Sequence, residues 1–85
     1  MKHKTTARFW NCFYALPEAV QGVTRKNYEL LKQNPRHPSL QLKKVGRLWS
    51  ARVGRDHRAL AMEDDGGYVW VWIGTHEEYD RLLRV

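Results

Sequence analysis

The segment from Leu48 to Ala61, LWSARVGRDHRALA, alternates apolar and basic residues on either side of a turn that contains glycine. This pattern predicts two adjacent antiparallel strands, with Arg52 on the first and Arg58 on the second. Two guanidinium groups on adjacent strands can hold phosphate oxygens in a bidentate manner. A hairpin needs polar residues on its solvent-facing side, but it does not need nearly all of them to be positive. The segment therefore suggests a surface that binds phosphate.

The positive charge of the chain is concentrated around this segment. The net charge is +6 over 85 residues, yet from Lys32 to Arg58 eight Lys or Arg residues accompany a single acid, Asp56. Such a block favours a phosphate-rich partner or an acidic protein partner, and a solvated basic face that keeps the protein soluble would show the same pattern. The candidate RNA contacts in the block are Lys43, Lys44, Arg47, Arg55 and His57.

One further titratable group lies where a strand is expected to meet a helix. His76 follows the apolar run YVWVWIG, and histidine can act as a base or an acid near neutral pH. RNA cleavage without a metal ion needs a base for the ribose 2′-hydroxyl, cations for the phosphate and an acid for the leaving oxygen. Arg52, Arg58 and His76 could supply these groups. His76 could equally be an ordinary exposed residue at the start of a helix.

Tyr79 is the fourth candidate for a catalytic role. It lies three residues after His76, so both side chains share one face of the predicted helix. There the Tyr79 ring could stack on a base or donate a proton, or it could pack in the core beside the leucines that follow.

Other kinds of chemistry lack the residues they require. The chain has no Gly-rich phosphate loop and no closely spaced Cys/His pairs, so we predict neither a cofactor nor a metal site. The single Cys12 cannot form an internal disulfide, which favours a reducing compartment. No apolar run approaches the roughly 20 residues of a membrane span, and MKHKTTARFW lacks the apolar region of a signal peptide. We therefore expect a cytoplasmic protein that contacts no membrane.

The elements that position these residues begin with two helices. A helix is expected from about Ala7 to Ala15, capped by Thr5 or Thr6. A second runs from Pro17 to about Gln33, where Asn34-Pro35 ends it. The KHKTT segment before them is either a short edge strand or a frayed arm.

The periodicity changes from helical to twofold after Pro38. The runs LQLKKV, LWSARV, HRALAME and YVWVWIG are separated by turn signals and predict strands. Thr75 and Glu78 then have the spacing of a capping box, which predicts a last helix. The predicted fold class is α+β: an N-terminal helical hairpin packed on a small antiparallel sheet of three to four strands, with a short C-terminal helix. We expect residues 1–85 to form a single domain.

Three segments, HPSLQLKKVG, LWSARVGRDHRALA and VWVWIGTHEEYDRLL, together resemble the toxins of the RelE/ParE superfamily of bacterial type II toxin–antitoxin systems. In that pattern a strand of the form aromatic-x-x-R-V-G, here Trp49 to Gly54, is followed by a turn. An aromatic residue and an arginine, here His57 and Arg58, then open the next strand. A later apolar strand ends in Gly and a motif with His or Arg, here Ile73 to His76. The resemblance covers nearly the whole chain.

The resemblance implies a function as well as a fold. RelE-type members are ribosome-dependent mRNA interferases that cut mRNA without a metal ion, inhibit translation and are neutralised by a cognate antitoxin. Carried over by position, Arg52 and Arg58 fall on the cationic positions of the middle strands, and His76 falls on the motif after the last strand. Tyr79 falls near the C-terminal tyrosine of the family at a different spacing, and Ser50 stands where some of the nucleases carry Lys.

Two alternatives to the nuclease remain open at this stage. The ParE branch of the superfamily inhibits DNA gyrase and lacks the nuclease residues. A third kind of member would be a non-enzymatic basic module that only binds RNA or its antitoxin.

Overall fold

The computed structural model describes residues 2–84, in which three α-helices pack on a five-stranded sheet. The elements in chain order are β1 (His3–Thr5), α1 (Ala7–Tyr14), α2 (Glu18–Gln33), β2 (Lys43–Val45), β3 (Leu48–Val53), β4 (His57–Asp64), β5 (Gly67–Thr75) and α3 (His76–Leu83). A single turn of 3₁₀ helix, Pro38–Leu40, precedes β2. Within this part of the chain, none of the helices has the length and apolar character needed to cross a membrane.

The sheet is larger than predicted and mixed rather than antiparallel. Its strand order is β1-β5-β4-β3-β2. The four later strands pair antiparallel, whereas β1 pairs parallel with β5 and places His3 beside Tyr68. The four strands predicted after Pro38 are present and antiparallel, but the sheet has a fifth, parallel strand in the KHKTT segment, for which an edge strand and a frayed arm were both open. Three residues are too few for a twofold alternation to be recognised, and β1 is held by its partner strand instead.

The first of the predicted strands is also shorter than its sequence pattern indicated. Leu40 belongs to the 3₁₀ turn and is 1% exposed in the core. Gln41 then adopts a left-handed conformation with φ 43°, so the chain turns before β2 begins at Lys43. The apolar alternation of Leu40 and Leu42 is thus a property of a packed turn and not of a strand.

Both faces of the sheet are covered by side chains. One face carries Ala51 and Val53 of β3 and joins a core that includes Phe13 of α1 and Leu31 of α2. The opposite face carries Leu60, Trp72 and Tyr79 as a second, smaller cluster. Because alternate residues of a strand face opposite sides, Ser50 and Arg52 lie on the face that α3 partly covers.

A bulge in β5 determines which residues reach that face. Leu60 pairs with Trp72, but the next residue, Ala61, pairs with Trp70, so Val71 is an extra residue in the strand. In a regular strand Trp70 and Trp72 would share a face. Here Trp70 lies in the larger core and Trp72 lies in the cluster beneath α3.

Candidate functional site

Arg52 and Arg58 form the centre of the candidate site. Arg52 of β3 pairs directly with Arg58 of β4, and Arg58 pairs in turn with Gly74 of β5. Residues paired in this way share a face of the sheet, so the two arginines lie side by side on the face of α3. Both side chains are half-buried. The sequence placed the two arginines on adjacent strands and left their register open, and the structure pairs them directly.

Each guanidinium group is fixed by one backbone carbonyl and keeps other donors free. Arg52 Nε donates to the carbonyl oxygen of Gly54 at 3.0 Å, and Arg58 Nη1 donates to that of His57 at 2.8 Å. Within residues 2–84 neither arginine forms an ion pair with an acid. A guanidinium group has five N–H donors, so the pair can still bind an anion. Gly54 itself has φ +62°, a left-handed conformation that favours glycine in this turn.

The strand ends bring His76 to the same end of the sheet. Thr75 pairs with His57 at the beginning of β4, and the His76 backbone N–H donates to the carbonyl oxygen of Asp56 at 2.8 Å. These contacts join the last residues of β5 to the turn that precedes Arg58. His76 is thus placed one strand away from the arginine pair, at the first position of α3.

A capping box fixes the start of α3, as the sequence predicted. The Glu78 backbone N–H donates to Thr75 Oγ1 at 3.1 Å, while Glu78 Oε1 accepts from the Thr75 backbone N–H at 2.9 Å. The hydrogen bond from the Thr75 backbone, followed by the one from its hydroxyl, lowers the pKa of the Glu78 carboxyl below its ordinary value. The helix therefore begins at a defined residue and gives His76 a defined position.

The His76 ring is accessible, whereas the ring of Tyr79 is buried. The two rings stack with centroids 6.3 Å apart and an interplanar angle of 24°. Tyr79 is 8% exposed and packs with Leu60 and Trp72. About half of the His76 side chain is exposed, and its Nε2 lies 3.5 Å from Asp80 Oδ1. Tyr79 thus forms the support beneath His76.

The five predicted RNA contacts are divided among different parts of the sheet. Lys43 pairs with Ser50 and so shares the face of the arginine pair, and exposed Arg55 lies in the turn at the same end. Lys44 pairs with Trp49 and faces the other side. The structure does not bring the whole basic block together.

Two residues of this block lie further from the arginine face. Arg47 precedes β3 at the end of the strand remote from Arg52, about 17 Å away for five residues of extended chain. His57 pairs with Val53 and Thr75, which places it on the opposite face from its neighbour Arg58. Ser50 stands where some RelE-type nucleases carry Lys. Its side chain is only 2% exposed and lies beneath the site.

Two features of the site were not singled out from the sequence. The position of Gly74 brings the Trp72 ring and Glu78 Oε1 so close that a Cβ atom would contact both. Asp80 lies four residues after His76, a spacing that places both on one helix face and could have identified it. The sequence marked Gly74 only as the glycine that ends the apolar strand, because its close packing depends on the bulge in β5.

A cavity lies on the face of the sheet that α1 and α2 cover. It has a volume of about 470 Å³ and opens between α1, α2 and the sheet, with Phe9, Phe13, Leu40 and Trp70 among its lining residues. Arg52 is also among its lining residues, whereas Arg58 and His76 are not. The three residues of the candidate site therefore do not share this cavity.

Comparisons with known proteins identify the same fold. A family model described as a ParE-like toxin domain matches residues 18–81. No curated protein sequence matches the chain. YafQ from Escherichia coli strain BL21(DE3) superimposes with a TM-score of 0.72, at 13% identity over 92% of this chain and 96% of that one.

Two further solved structures have the same fold. The toxin in the RelB–RelE antitoxin–toxin complex from Methanococcus jannaschii matches with a TM-score of 0.72, at 13% identity over 92% of this chain and 96% of that chain. The YoeB/ParE toxin from Agrobacterium tumefaciens matches with a TM-score of 0.67, at 15% identity over 89% and 99% of the two chains. At these identities the likeness establishes the fold.

Proposed function

Since the chain belongs to the family of ParE-like toxin domains and is a toxin of the RelE/ParE type, we propose that it cleaves mRNA on the ribosome without a metal ion and so inhibits translation. The observation that carries this proposal is the direct pairing of Arg52 with Arg58, with no acid to neutralise them in residues 2–84. His76 lies at the same end of the sheet, with an accessible ring. A phosphate between the arginines would complete the arrangement.

Each of these residues has a role in the proposed reaction. The His76 ring takes the proton of a ribose 2′-hydroxyl, and the 2′ oxygen attacks the adjacent phosphorus atom. Arg52 and Arg58 hold the non-bridging oxygens and stabilise the charge that develops on them. The bond from phosphorus to the 5′ oxygen then breaks, and that oxygen leaves with the bonding electrons and takes a proton from water. The products are a 2′,3′-cyclic phosphate and a 5′-hydroxyl.

We assign Tyr79 a supporting role in place of a direct chemical one. Its ring is buried against Leu60 and Trp72, and it stacks beneath His76. A buried ring cannot stack on an RNA base, but it can restrict the orientation of the imidazole above it.

The proposed path of the RNA follows the exposed cations nearest the arginine pair. Arg55 lies at the end of the sheet beside the site, and Lys43 lies on the same face one strand beyond Arg52. Phosphate contacts of this kind position the RNA without reading its sequence. Lys44, Arg47 and His57 lie off this path and are expected to contribute less.

We also propose that the cognate antitoxin covers this surface with an acidic segment. Carboxylates match guanidinium groups in the same bidentate geometry as phosphates do. A segment that pairs with Arg52 and Arg58 would therefore exclude RNA from the site. The similarity to a toxin solved as a RelB–RelE complex supports a protein partner of this kind.

Inhibition of DNA gyrase is the second candidate function. The match to a ParE-like family model, rather than to one named for a nuclease, favours it. In that case the basic face would bind gyrase or its DNA, and His76 would have no chemical role.

Brief induction of the chain in bacteria tests the proposal against this alternative. We expect growth arrest and new mRNA 5′ ends inside translated codons by primer extension, both absent for His76→Ala and Arg58→Ala. The matched control is Arg8→Ala, which removes an exposed positive charge from α1. Arrest with intact mRNA and inhibited supercoiling would assign the protein to the gyrase inhibitors. If the chain causes neither growth arrest nor mRNA cleavage, the function that remains is that of a non-enzymatic binding module.

A further inference from the structure

Two side chains of the same helix flank the His76 ring. Tyr79 supports one side of the ring, and the carboxylate of Asp80 lies 3.5 Å from Nε2. Within residues 2–84 the other ion pair joins Lys32 to Glu29 on the surface of α2 and includes no candidate site residue. Asp80 thus contacts His76, the residue that we propose as the general base.

A carboxylate beside one ring nitrogen determines which nitrogen carries the proton. Ionised Asp80 can only accept, so it favours a proton on Nε2 of the neutral ring. The lone pair then resides on Nδ1, the ring nitrogen that does not take part in the contact with Asp80. At 3.5 Å the contact is that of an ion pair, and a closer approach of the same two atoms gives the hydrogen bond by which a carboxylate orients an imidazole and fixes its tautomer.

We propose that Asp80 is a positioning residue, which keeps the His76 proton on Nε2 and leaves Nδ1 free to take the 2′-hydroxyl proton. The inference rests on the proposed ribonuclease function. Asp80 does not touch the RNA in this scheme. It acts through His76, while Tyr79 limits rotation of the same ring.

Because Asp80 is negatively charged, a positioning role and a purely electrostatic role predict different effects of its removal. A carboxylate near an RNA surface repels phosphate, so its removal alone should strengthen RNA binding and leave the chemical step unchanged or faster. A positioning residue has the opposite effect on the chemical step. Its removal slows proton transfer even though RNA binds as well as before or better.

Glu77 provides the matched control. It lies on the same short helix, is exposed and forms no ion pair in residues 2–84. Asp80→Asn and Glu77→Gln each remove one negative charge and keep a side chain of nearly the same size. A difference between the two variants therefore reports the contact with His76 and not the net charge.

The experiment combines single-turnover cleavage of ribosome-bound mRNA with nitrogen-15 spectra of the His76 ring. For Asp80→Asn we expect the cleavage rate constant to fall about tenfold, with RNA affinity unchanged or higher, and Asp80→Glu to recover part of the rate. Glu77→Gln should keep the wild-type rate constant. In the spectra the Nε2–H tautomer should dominate in wild type and Glu77→Gln, and the tautomers should be mixed in Asp80→Asn.

Each possible outcome decides the inference. Equal rate constants and equal tautomer populations in Asp80→Asn and Glu77→Gln would overturn it. If the wild-type protein cleaves no RNA, the proposed function fails, and the spectra still decide whether Asp80 sets the tautomer. An unchanged tautomer in Asp80→Asn would then refute the positioning role independently.

Discussion

Arg52 and Arg58 lie directly opposite each other on adjacent strands, each bonded to a single backbone carbonyl and neither paired with an acid in residues 2–84. Like charges directly opposite on a sheet destabilise it, by an amount on the order of 0.2–1 kcal/mol. An anion bound between the two groups would remove this repulsion. The pair is therefore unfavourable for the isolated fold and suited to binding phosphate.

Inorganic phosphate should stabilise the folded protein through this pair. At ten times its dissociation constant, a ligand that binds only the folded state adds about 1.4 kcal/mol. We expect phosphate to raise the melting temperature relative to chloride at equal ionic strength. The increase should be lost in Arg58→Gln and kept in Arg8→Gln, whose side chain is exposed on α1. Equal increases in both variants would show that phosphate acts on the overall charge alone.

Gly74→Ala should destabilise the protein and disturb the site. A Cβ atom at this position would contact the Trp72 ring and lie 3.0 Å from Glu78 Oε1, so the ring and the helix cap must both move. Overpacking of this kind costs about 1–3 kcal/mol. Gly22→Ala is the contrasting variant, since no atom lies within 4 Å of the added carbon. It should stabilise α2 by up to about 1 kcal/mol. Urea denaturation compares the two, and a stable Gly74→Ala variant would contradict the packing described here.

The helix cap beneath His76 should give the stability a dependence on acid pH. The pKa of Glu78 is lowered in the fold by its bonds to Thr75, so its contribution is complete above the ordinary carboxyl value of 4.5 and is lost as the pH falls through the lower folded value. Thr75→Ala should cost about 1 kcal/mol at neutral pH. Unfolding measured from pH 7 to pH 3 should show the difference between wild type and Thr75→Ala decreasing with acid. A constant difference would exclude ionised Glu78 as its source.

The docking of β1 should depend on pH near neutrality. Trp70 Nε1 donates to His3 Nδ1 at 3.2 Å, and burial, assisted by nearby positive charge including Lys32, lowers the pKa of His3 below 6.5. The neutral ring is thus the folded form, and the stability it gives is complete above pH 6.5 and lost as the pH falls through the lower folded value. Amide exchange of β1 should accelerate as the pH falls below 6.5. Glutamine does not titrate in this range, so the His3→Gln variant should show no such acceleration after the exchange rates are corrected for the intrinsic pH dependence of amide exchange.

Local signals in the sequence predicted the local features of this fold. Thr6 caps α1, and Thr75 with Glu78 caps α3, because a cap requires only residues within one turn of each other. The sequence also placed Arg52 and Arg58 on adjacent strands joined by a short turn, but it left open the register that pairs them directly.

Long-range features were not accessible in the same way. YVWVWIG is apolar throughout, so its pattern does not reveal the bulge that separates Trp70 from Trp72. That bulge also determines which face Gly74 occupies. The parallel pairing of β1 depends on contacts of His3 with residues more than 60 positions away, and no local pattern records them.

The most direct test of the proposed chemistry is the end groups of the cleaved RNA. Purified protein would be added to ribosomes programmed with mRNA and an empty A site, and the products would be analysed for their termini. Wild type should yield a 2′,3′-cyclic phosphate and a 5′-hydroxyl, Arg8→Ala should do the same, and His76→Ala and Arg58→Ala should yield no product above background. Intact mRNA with the wild-type protein, or cleavage that survives in both site variants, would contradict the assignment of Arg52, Arg58 and His76 as a ribonuclease site.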